Sequence, residues 1–427
     1  MRAMAVDVSN GPLTGIRVVD MTIAVQGPHA GAFLADMGAD VIHVERPGGE
    51  LNRYVRHPGF VPGEGMGTQF VAMNRNKRSL ALDAHSPVGR EVLARLVASA
   101  DVFLTNYRIE ALERMGLGDR ELTAAHPRLV YARVSGFGPR GPDAAKAMLD
   151  GAAQARSGIA AISGPPDGPP MPPGAAIADH GGAMQLALGV MTALYARERT
   201  GRGQIVDTSS LGAMMWTQAW EIALVGMAAP IERAGAHNPN ILCPYGVYRT
   251  SDGGAFLLAV AMSDESWDEF CVFAGVPELA YDERWSTAAK RIGARGSADG
   301  VAEARALLSE AFAARTTAEW EEFLATQPEI IYEKVQDYQQ VRADPQVAAN
   351  GYLADVDVPG FGTAQVVTNV VHLSDTPGGG IRLPPPRLGE HTAELMGELG
   401  FGPDQIAEVT AGYASEAAAV EAAITDA

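Results

Sequence analysis

Residues 15–45, GIRVVDMTIAVQGPHAGAFLADMGADVIHVE, decide the fold that we predict for this chain. The runs Gly15–Thr22 and Asp40–Glu45 are rich in β-branched residues and are typical of buried strands. Between them, the segment from Gly27 predicts a helix with Pro28 in its first turn. Strand, helix and strand in this order form a βαβ unit. The unit predicts a parallel sheet with helices packed on its faces.

The same alternation continues to about residue 225, which predicts a large α/β domain over residues 1–225. Further strands are predicted at Ser79–Leu82, Val102–Thr105, Leu129–Val134 and Ile205–Ser209, and helices at about Pro87–Ser99 and Ala111–Met115. Residues 226–340 combine a hairpin pattern with polar helices, and they predict a smaller α+β domain. In the remaining residues 341–427, the Gly- and Pro-rich stretch 350–390 predicts a linker.

A second stretch, residues 171–211, contains Asp179, the candidate catalytic residue. Its sequence is MPPGAAIADHGGAMQLALGVMTALYARERTGRGQIVDTSSL, and its apolar residues recur at helical spacing after Asp179. Asp179 lies at the N-terminal end of this predicted helix, where backbone N–H groups would keep its carboxylate ionised. Gly181 and Gly182 would allow a ligand to approach the backbone closely. Gly201 is the expected C′ residue of this helix.

Asp179 has two interpretations. An Asp before a helix is most often an N-cap residue, which would make its role structural. Alternatively, an ionised and accessible carboxylate can attack an acyl carbon as a nucleophile. One oxygen could cap while the other attacks, so the sequence leaves both interpretations open.

Composition excludes several classes of function. The chain has 427 residues, of which 47% are hydrophobic, so it can bury a large core in two domains. A net charge of −18 argues against a general nucleic-acid or anionic membrane surface. Cys243 and Cys271 are isolated and predict free thiols in a reducing compartment. With no apolar leader and no membrane-length run, the sequence predicts a cytoplasmic protein without membrane contact.

Familiar cofactor motifs are weak or missing. The segment Gly136–Gly141 matches G-x-G-x-x-G, but Pro139 and Pro142 oppose the smooth entry into a helix that a dinucleotide site requires. We therefore expect a ligand-facing loop there and no NAD. No phosphate-binding G-x-x-x-x-G-K-[ST] motif and no metal-spaced histidines occur, so neither ATP nor a metal is expected. His180 could serve as a base, but a solvent or core position is favoured.

Several stretches together resemble the family III CoA-transferases of the CaiB/BaiF type. This family includes formyl-CoA:oxalate and carnitine CoA-transferases and alpha-methylacyl-CoA racemase. The matching stretches cover most of residues 11–212 and part of the C-terminus, and they include GPHAGAFLADMGADVIHVERPGGE, ADVFLTNYRIEALERMGLG, RLVYARVSGFGPRGP, PPGAAIADHGGAM and PPPRLGEHT. The resemblance implies a large Rossmann-like, CoA-binding domain that begins with residues 1–225 and to which residues 341–427 return. It also implies a smaller central domain and two interlocked chains that form a ring-like homodimer.

The resemblance also implies a mechanism. The family's catalytic carboxylate matches Asp179, which would carry CoA from an acyl-CoA donor to a carboxylic acid acceptor through covalent aspartyl intermediates. Exchange between two thioesters needs no ATP and no metal. The family's contacts to coenzyme A fall on Val25, Gln26, Arg46, Leu82, Asn106, Tyr107, Arg114, Met115, Gly136 and Phe137.

Departures from the family pattern keep alternatives open. Ser135 stands where formyl-CoA transferases have Lys, and only Gly253 and Gly254 stand where those enzymes have a longer glycine run. The racemases use a His where this chain has Leu149, which cannot transfer a proton. An acyl-CoA racemase or epimerase, or a CoA-binding protein without turnover, is the alternative. The nearby Met214, Met215, Trp216 and Trp220 could line an acyl pocket, although a core position is favoured.

Overall fold

The structure is a computed structural model that describes residues 11–55, 66–228, 230–259, 263–292 and 300–413. The chain divides into two compact units. The first unit draws on residues up to Ser157, on Ala175–Thr217, and on the chain from Asp344 onward. The second unit consists of Gly158–Gly174 and Gln218–Ala343. The domain boundaries at residues 225 and 340 stay a prediction.

A six-stranded parallel sheet forms the centre of the first unit. Its strands are β1 (Arg17–Met21), β2 (Asp40–Glu45), β3 (Lys77–Ala81), β4 (Val102–Thr105), β5 (Val130–Ser135) and β6 (Ile205–Ser209). They lie in the order β3-β2-β1-β4-β5-β6, and every neighbouring pair is parallel. This is the doubly wound order in which the chain reverses direction across the sheet between β1 and β4. The predicted parallel sheet is confirmed.

Helices connect these strands. In the first half of the unit they are α1 (Gln26–Asp36), α2 (Thr68–Met73), α3 (Pro87–Ala98), α4 (Ile109–Arg114), α5 (Asp119–Ala125) and α6 (Asp150–Ser157), with one 3₁₀ turn at Leu51–Arg53. The second half of the unit contains α8 (Ile177–Thr200) and α9 (Ser210–Thr217). The short helix α7 (Ile159–Ile162), which precedes α8 in the chain, belongs to the second unit. The C-terminal part of the unit adds α17 (Pro345–Ala349), the antiparallel strands β10 (Leu353–Val358) and β11 (Gly362–Val367), and α18 (Thr392–Glu398).

Successive strand residues point to opposite faces of the sheet, so the unit has two cores. Val18 and Val41 belong to one apolar cluster, which they share with residues of α1 and α8. Val19 and Ile42, one residue further along each strand, belong to a second cluster with residues of α3 and α18. Both faces of the sheet are therefore covered, as a parallel sheet requires.

Helix α1 packs unusually close to the sheet. A Cβ atom added at Gly27 would lie 2.4 Å from the Cβ atom of Thr22, and one added at Gly31 would lie 2.7 Å from a carboxylate oxygen of Asp20. Only glycine fits at these two positions. Beneath the helix, Asp20, His43 and Lys77 are all completely buried. This close packing fixes the start of α1, which leads into the candidate site.

The second unit has a small antiparallel sheet in the order β7-β8-β9. Its elements are α10 (Ala219–Met227), β7 (Gly246–Arg249), β8 (Ala255–Leu258), α11 (Asp264–Ala274), α12 (Glu278–Tyr281), α13 (Ala288–Arg291), α14 (Val301–Ala313), α15 (Thr317–Ala325), β9 (Tyr332–Lys334) and α16 (Tyr338–Ala343). Its core includes Trp267, Trp285 and Trp320. Cys243 and Cys271 are buried free thiols, as predicted. Among the described residues, no helix is both long and apolar enough to cross a bilayer.

The structure decides two predictions about residues 171–220. Helix α8 ends with Gly201 at φ +71°, in the left-handed conformation predicted for its C′ residue. The prediction that Met214, Met215, Trp216 and Trp220 occupy core positions is wrong for three of these four residues. Met214 is buried, but the side chains of Met215, Trp216 and Trp220 are largely exposed. Apolar spacing shows which residues share a face, but it does not show what covers that face.

Candidate active site

Asp179 is the third residue of α8, and it lines a cavity of about 690 Å³. The other walls come from the loop after β1, from residues 106–111 after β4, from the end of β5, and from residues 144–149. The cavity therefore lies outside the carboxyl ends of β1, β4 and β5. Since β1 and β4 flank the point where the strand order reverses, this is the place where doubly wound sheets bind ligands.

A glutamine and a serine hold the carboxylate of Asp179. The Gln26 side chain, in the first turn of α1, donates from Nε2 to Asp179 Oδ1 at 3.1 Å and to Ser210 Oγ at 3.0 Å. Ser210, the first residue of α9, is completely buried. Sequence reasoning selected Gln26 for a different role and did not select Ser210, because the pairing depends on three separate helix ends meeting.

The N-cap interpretation of Asp179 is wrong. The N-cap residue of α8 is Ala176, whose side chain cannot accept a hydrogen bond. The first turn is capped instead by Asp150, the first residue of α6, whose Oδ1 accepts the backbone N–H groups of Ala178 at 2.8 Å and Asp179 at 3.0 Å. Because the cap comes from another helix, the Asp179 carboxylate takes no part in capping.

The pKa of Asp179 is raised, an effect that its position at a helix N-terminus did not indicate. Burial raises the pKa of Asp179 to about 6, and the nearby charge of Asp150 acts in the same direction. Hydrogen bonds from Gln26 and Ser210 oppose these effects only in part. Asp179 is still mostly ionised at pH 7, but it is a stronger base than an ordinary aspartate.

Gly181 and Gly182 pack against α9. Both lie beyond the first four residues of α8, so their N–H groups belong to the hydrogen-bond ladder of the helix. A Cβ atom on Gly181 would make an ordinary contact of 3.4 Å with the Ala213 side chain, whereas one on Gly182 would lie only 3.3 Å from Ser210 Oγ. Gly182 therefore helps α8 to lie close to Ser210, and the predicted approach of a ligand to these glycines stays a prediction.

Two histidines lie beside this helix start. His180 is half-buried, and its Nδ1 lies 3.0 Å from Nδ1 of His29 on α1. Burial lowers the pKa of His29 to about 3, with a further contribution from His180, and burial also lowers the pKa of His180. Both rings are neutral at pH 7, so neither supplies a positive charge to Asp179.

Four of the residues expected to contact coenzyme A line the same cavity as Asp179. They are Gln26, Asn106, Tyr107 and Gly136. The Asn106 side chain is held by the backbone of Ile23, from which it accepts at 2.9 Å and to which it donates at 2.7 Å. The structure therefore brings together residues from three strand ends that are far apart in the sequence.

The other six expected contacts lie outside the walls of this cavity. Val25 and Leu82 are buried, Met115 and Phe137 are half-buried, and the side chains of Arg46 and Arg114 are exposed. The Arg46 Nε donates to the carbonyl oxygen of Gly49 at 2.7 Å. Arg114 occupies the last turn of α4. No structural observation assigns these six residues to a ligand, and their role stays a prediction.

The glycine-rich segment after β5 is a turn that faces the cavity. Gly138 and Gly141 have φ values of +99° and +94°, which favour glycine. Gly136 lies so close to the Met148 side chain that a Cβ atom added to it would be 2.3 Å from the Met148 Cβ atom. Residues 144–149 thus fold back over the turn. Leu149, which replaces the racemases' histidine, lines the cavity with 81% of its surface exposed.

Comparison with known proteins assigns the chain to a class. The family model for CoA-transferase family III matches residues 13–392. The chain belongs to this family and is a CoA-transferase. Enzymes of this class move CoA between an acyl-CoA thioester and a carboxylate.

Individual relatives are similar over nearly their whole length. The succinate–glutarate CoA-transferase of Agrobacterium fabrum is 35% identical over 401 residues, which cover 91% of this chain and 96% of the relative. A succinyl-CoA–D-citramalate CoA-transferase of Chloroflexus aurantiacus is 34% identical, with 94% and 97% covered. The crystal structure of a CaiB/BaiF family protein from Brucella suis matches with a TM-score of 0.78 and 32% identity, over 91% of this chain and 100% of that chain.

Proposed function

We propose that this enzyme transfers CoA through a covalent intermediate on Asp179. The observation that carries the proposal is a half-buried carboxylate that lines a cavity, takes no part in capping its helix, and has a raised pKa. The Gln26 side chain donates to the Oδ1 oxygen of Asp179, and Ser210 provides a further hydrogen bond to the carboxylate. Such a carboxylate has the properties required of a nucleophile.

The proposed reaction is a series of acyl exchanges. An Asp179 oxygen attacks the thioester carbon of the donor, the C–S bond breaks, and CoA leaves as a thiolate with an aspartyl-acyl anhydride behind it. The thiolate then attacks the Asp179 carbonyl carbon, which releases the donor acid and forms an aspartyl-CoA thioester. The acceptor carboxylate attacks the carbonyl carbon of that thioester, the C–S bond breaks, and an anhydride between Asp179 and the acceptor forms. The released CoA thiolate attacks the acceptor's carbonyl carbon in this anhydride, which forms the new acyl-CoA and frees the Asp179 carboxylate. Atoms and charges balance without an outside reactant.

The relatives suggest the class of substrate. Their names pair succinyl-CoA or succinate with glutarate and citramalate, which are short dicarboxylic acids. We propose the same class for this chain. The test is a mass-spectrometric screen in which the enzyme is incubated with pooled acyl-CoA donors and pooled mono- and dicarboxylic acids. We expect new CoA esters of short dicarboxylic acids, and formation of none would contradict the proposed function.

Two exposed arginines are proposed to bind the phosphates of coenzyme A. We expect Arg46→Ala and Arg114→Ala each to weaken CoA binding by about 1.5–3 kcal/mol, because each removes a charge-assisted contact. Calorimetric titration with CoA measures the affinity, and a circular dichroism melt checks that the fold is intact. Arg120→Ala, at another exposed arginine, is the matched control. Unchanged affinity in both variants would remove these residues from the site.

A homodimer is proposed for the assembly. Helix α10 has the apolar sequence AWEIALVGM but no buried residue, and Met227 at its end is 87% exposed. In the first unit, Trp216 is 72% exposed. Large apolar side chains left open in this way are typical of surfaces that another subunit covers. The interlocked, ring-like arrangement stays an inference from the resemblance.

Sedimentation velocity tests the dimer. At micromolar concentration we expect a single species at twice the chain mass of 44.8 kDa, because chains that wrap around each other leave no compact monomer. A folded monomer that remains stable at this concentration would contradict the prediction. The cytoplasmic location is likewise a proposal, supported by the two buried free thiols.

A further inference from the structure

The carboxylate of Asp150 lies directly behind the start of α8. Its Oδ1 accepts two successive backbone N–H groups, those of Ala178 and Asp179. We propose that Asp150 is a positioning residue for the nucleophile: it fixes the first turn of α8 and places a second negative charge beside Asp179. This inference rests on the proposed function, since it assumes that Asp179 attacks the thioester.

Asp150 is itself held in place. Gln154, one turn further along α6 and almost completely buried, donates from Nε2 to Asp150 Oδ2 and to the carbonyl oxygen of Ala175 at 2.9 Å. The two carboxylate oxygens therefore accept from two different elements. Among the ion pairs of the described residues, none neutralises Asp150. The Asp150 carboxylate is therefore held in a fixed orientation near Asp179, and no ion pair in the described part of the chain neutralises its charge.

Three cationic residues, Arg108, Arg133 and Lys146, line the same cavity, but none of them contributes to the pKa of Asp179. The groups on the helices packed around Asp179 do not cancel the Asp150 charge either. The α1 helix presents Gln26 and the neutral His29, the α9 helix presents the hydroxyl of Ser210, and α8 itself presents the neutral His180. Burial and Asp150 together therefore keep the pKa of Asp179 raised. A more basic carboxylate is a better nucleophile at a pH where it is still ionised.

The repulsion also changes during the proposed reaction. Two negative charges lie side by side in the free enzyme, but acylation makes Asp179 neutral. The like-charge repulsion is therefore present before attack and absent in the anhydride and in the aspartyl-CoA thioester. An interaction that is unfavourable only before bond formation raises the rate of that step. Asp150 thereby favours the covalent intermediates without contacting the substrate.

Asp150→Asn separates the charge of this residue from its capping role. The variant keeps an oxygen that accepts the N–H groups of Ala178 and Asp179, removes the charge, and loses the acceptor for Gln154 Nε2. We expect a small decrease in melting temperature, a shift of the acid limb of kcat/KM to lower pH, and a several-fold smaller yield of trapped covalent adduct. Asp150→Ala removes the acceptor as well, and we expect it to lower the melting temperature. Asp143→Asn, at an exposed carboxylate paired with Arg156, is the control and should leave the pH profile unchanged.

A direct titration makes the inference independent of turnover. Infrared difference spectra between wild type and Asp179→Asn, recorded across pH, report the protonation of Asp179. The same difference in the Asp150→Asn background should show Asp179 titrating at lower pH. Identical titrations in the two backgrounds would overturn the inference, even if the enzyme transfers CoA. If wild type forms no CoA ester in the substrate screen, the proposed function fails, while this titration still decides the effect of Asp150.

Discussion

We expect Asp179→Asn to lose CoA transfer by about 10⁴-fold or more, because the change removes the anionic nucleophile. The asparagine oxygen can still accept the hydrogen bond from Gln26, so the site keeps its shape. A coupled thioester assay measures the rate. Wild type incubated with its donor and no acceptor should carry acyl or CoA mass on the Asp179 peptide, and hydroxylamine should remove it. A variant that turns over at the wild-type rate would overturn the mechanism.

The same variant should not lose stability. Asp179 has a pKa of about 6 in the folded protein, above its ordinary value of 3.8, so its ionised form is disfavoured by folding. The carboxylate therefore lowers the free energy of unfolding progressively as pH rises from about 4 to 6, and this loss persists above pH 6. We expect Asp179→Asn to be more stable than wild type by about 1 kcal/mol at pH 8, and equal to it at acid pH. Urea unfolding at both pH values checks this, and a structural Asp179 would give the opposite result.

The largest effect on stability is expected at Lys77. This lysine is completely buried, and its Nζ donates to Asp20 Oδ2 at 2.7 Å, to the carbonyl oxygen of Pro28 at 2.8 Å and to Asn74 Oδ1 at 2.9 Å. Burial alone would raise the pKa of Asp20, but the charges of Lys77 and His43 outweigh it and hold that pKa well below its usual range. Asp20 therefore depends on these cations to remain ionised under α1.

We expect Lys77→Met to lower the free energy of unfolding by about 3 kcal/mol, because it leaves the Asp20 carboxylate buried with only His43 as a cation. Urea unfolding measures the change. Lys334→Met, at a partly exposed lysine 3.8 Å from Glu321, is the matched control and should change stability by less than about 1 kcal/mol. Adding Asp20→Asn to Lys77→Met should restore part of the loss. If Lys77→Met is as stable as the control, the buried pair does not support the start of α1.

The sequence determined the strands and helices that build the sheet. Strands β2, β4 and β6 have the predicted residues, and β1, β3 and β5 differ from the prediction by one or two residues at each end. Local patterns suffice here because a buried parallel strand is a short run of β-branched residues, and because Gly and Pro mark the ends of the helices between strands. The predicted helix from Ser415 lies outside the described residues.

The sequence also identified Asp179 but misjudged its surroundings. Local preference favours an Asp near a helix start as the cap and predicts that it stays ionised. Tertiary structure brings α6 to the same point, so Asp150 caps the helix, and burial together with the Asp150 charge raises the Asp179 pKa. The environment of Asp179 therefore could not be read from its neighbours in the chain.

Distance along the chain explains which features the sequence could predict and which depended on the tertiary structure. The sequence by itself determined the strands and helices of the sheet and the family, and it selected Asp179 as the candidate nucleophile, since each depends on residues that are close in sequence or on motifs that remain recognisable. Only the tertiary structure decided that Gln26, Asp150 and Ser210 surround Asp179, and that Gly182 lies close to Ser210. A hydrogen bond between side chains 153 residues apart depends on how helices meet, and burial and charge set a pKa only after they have met.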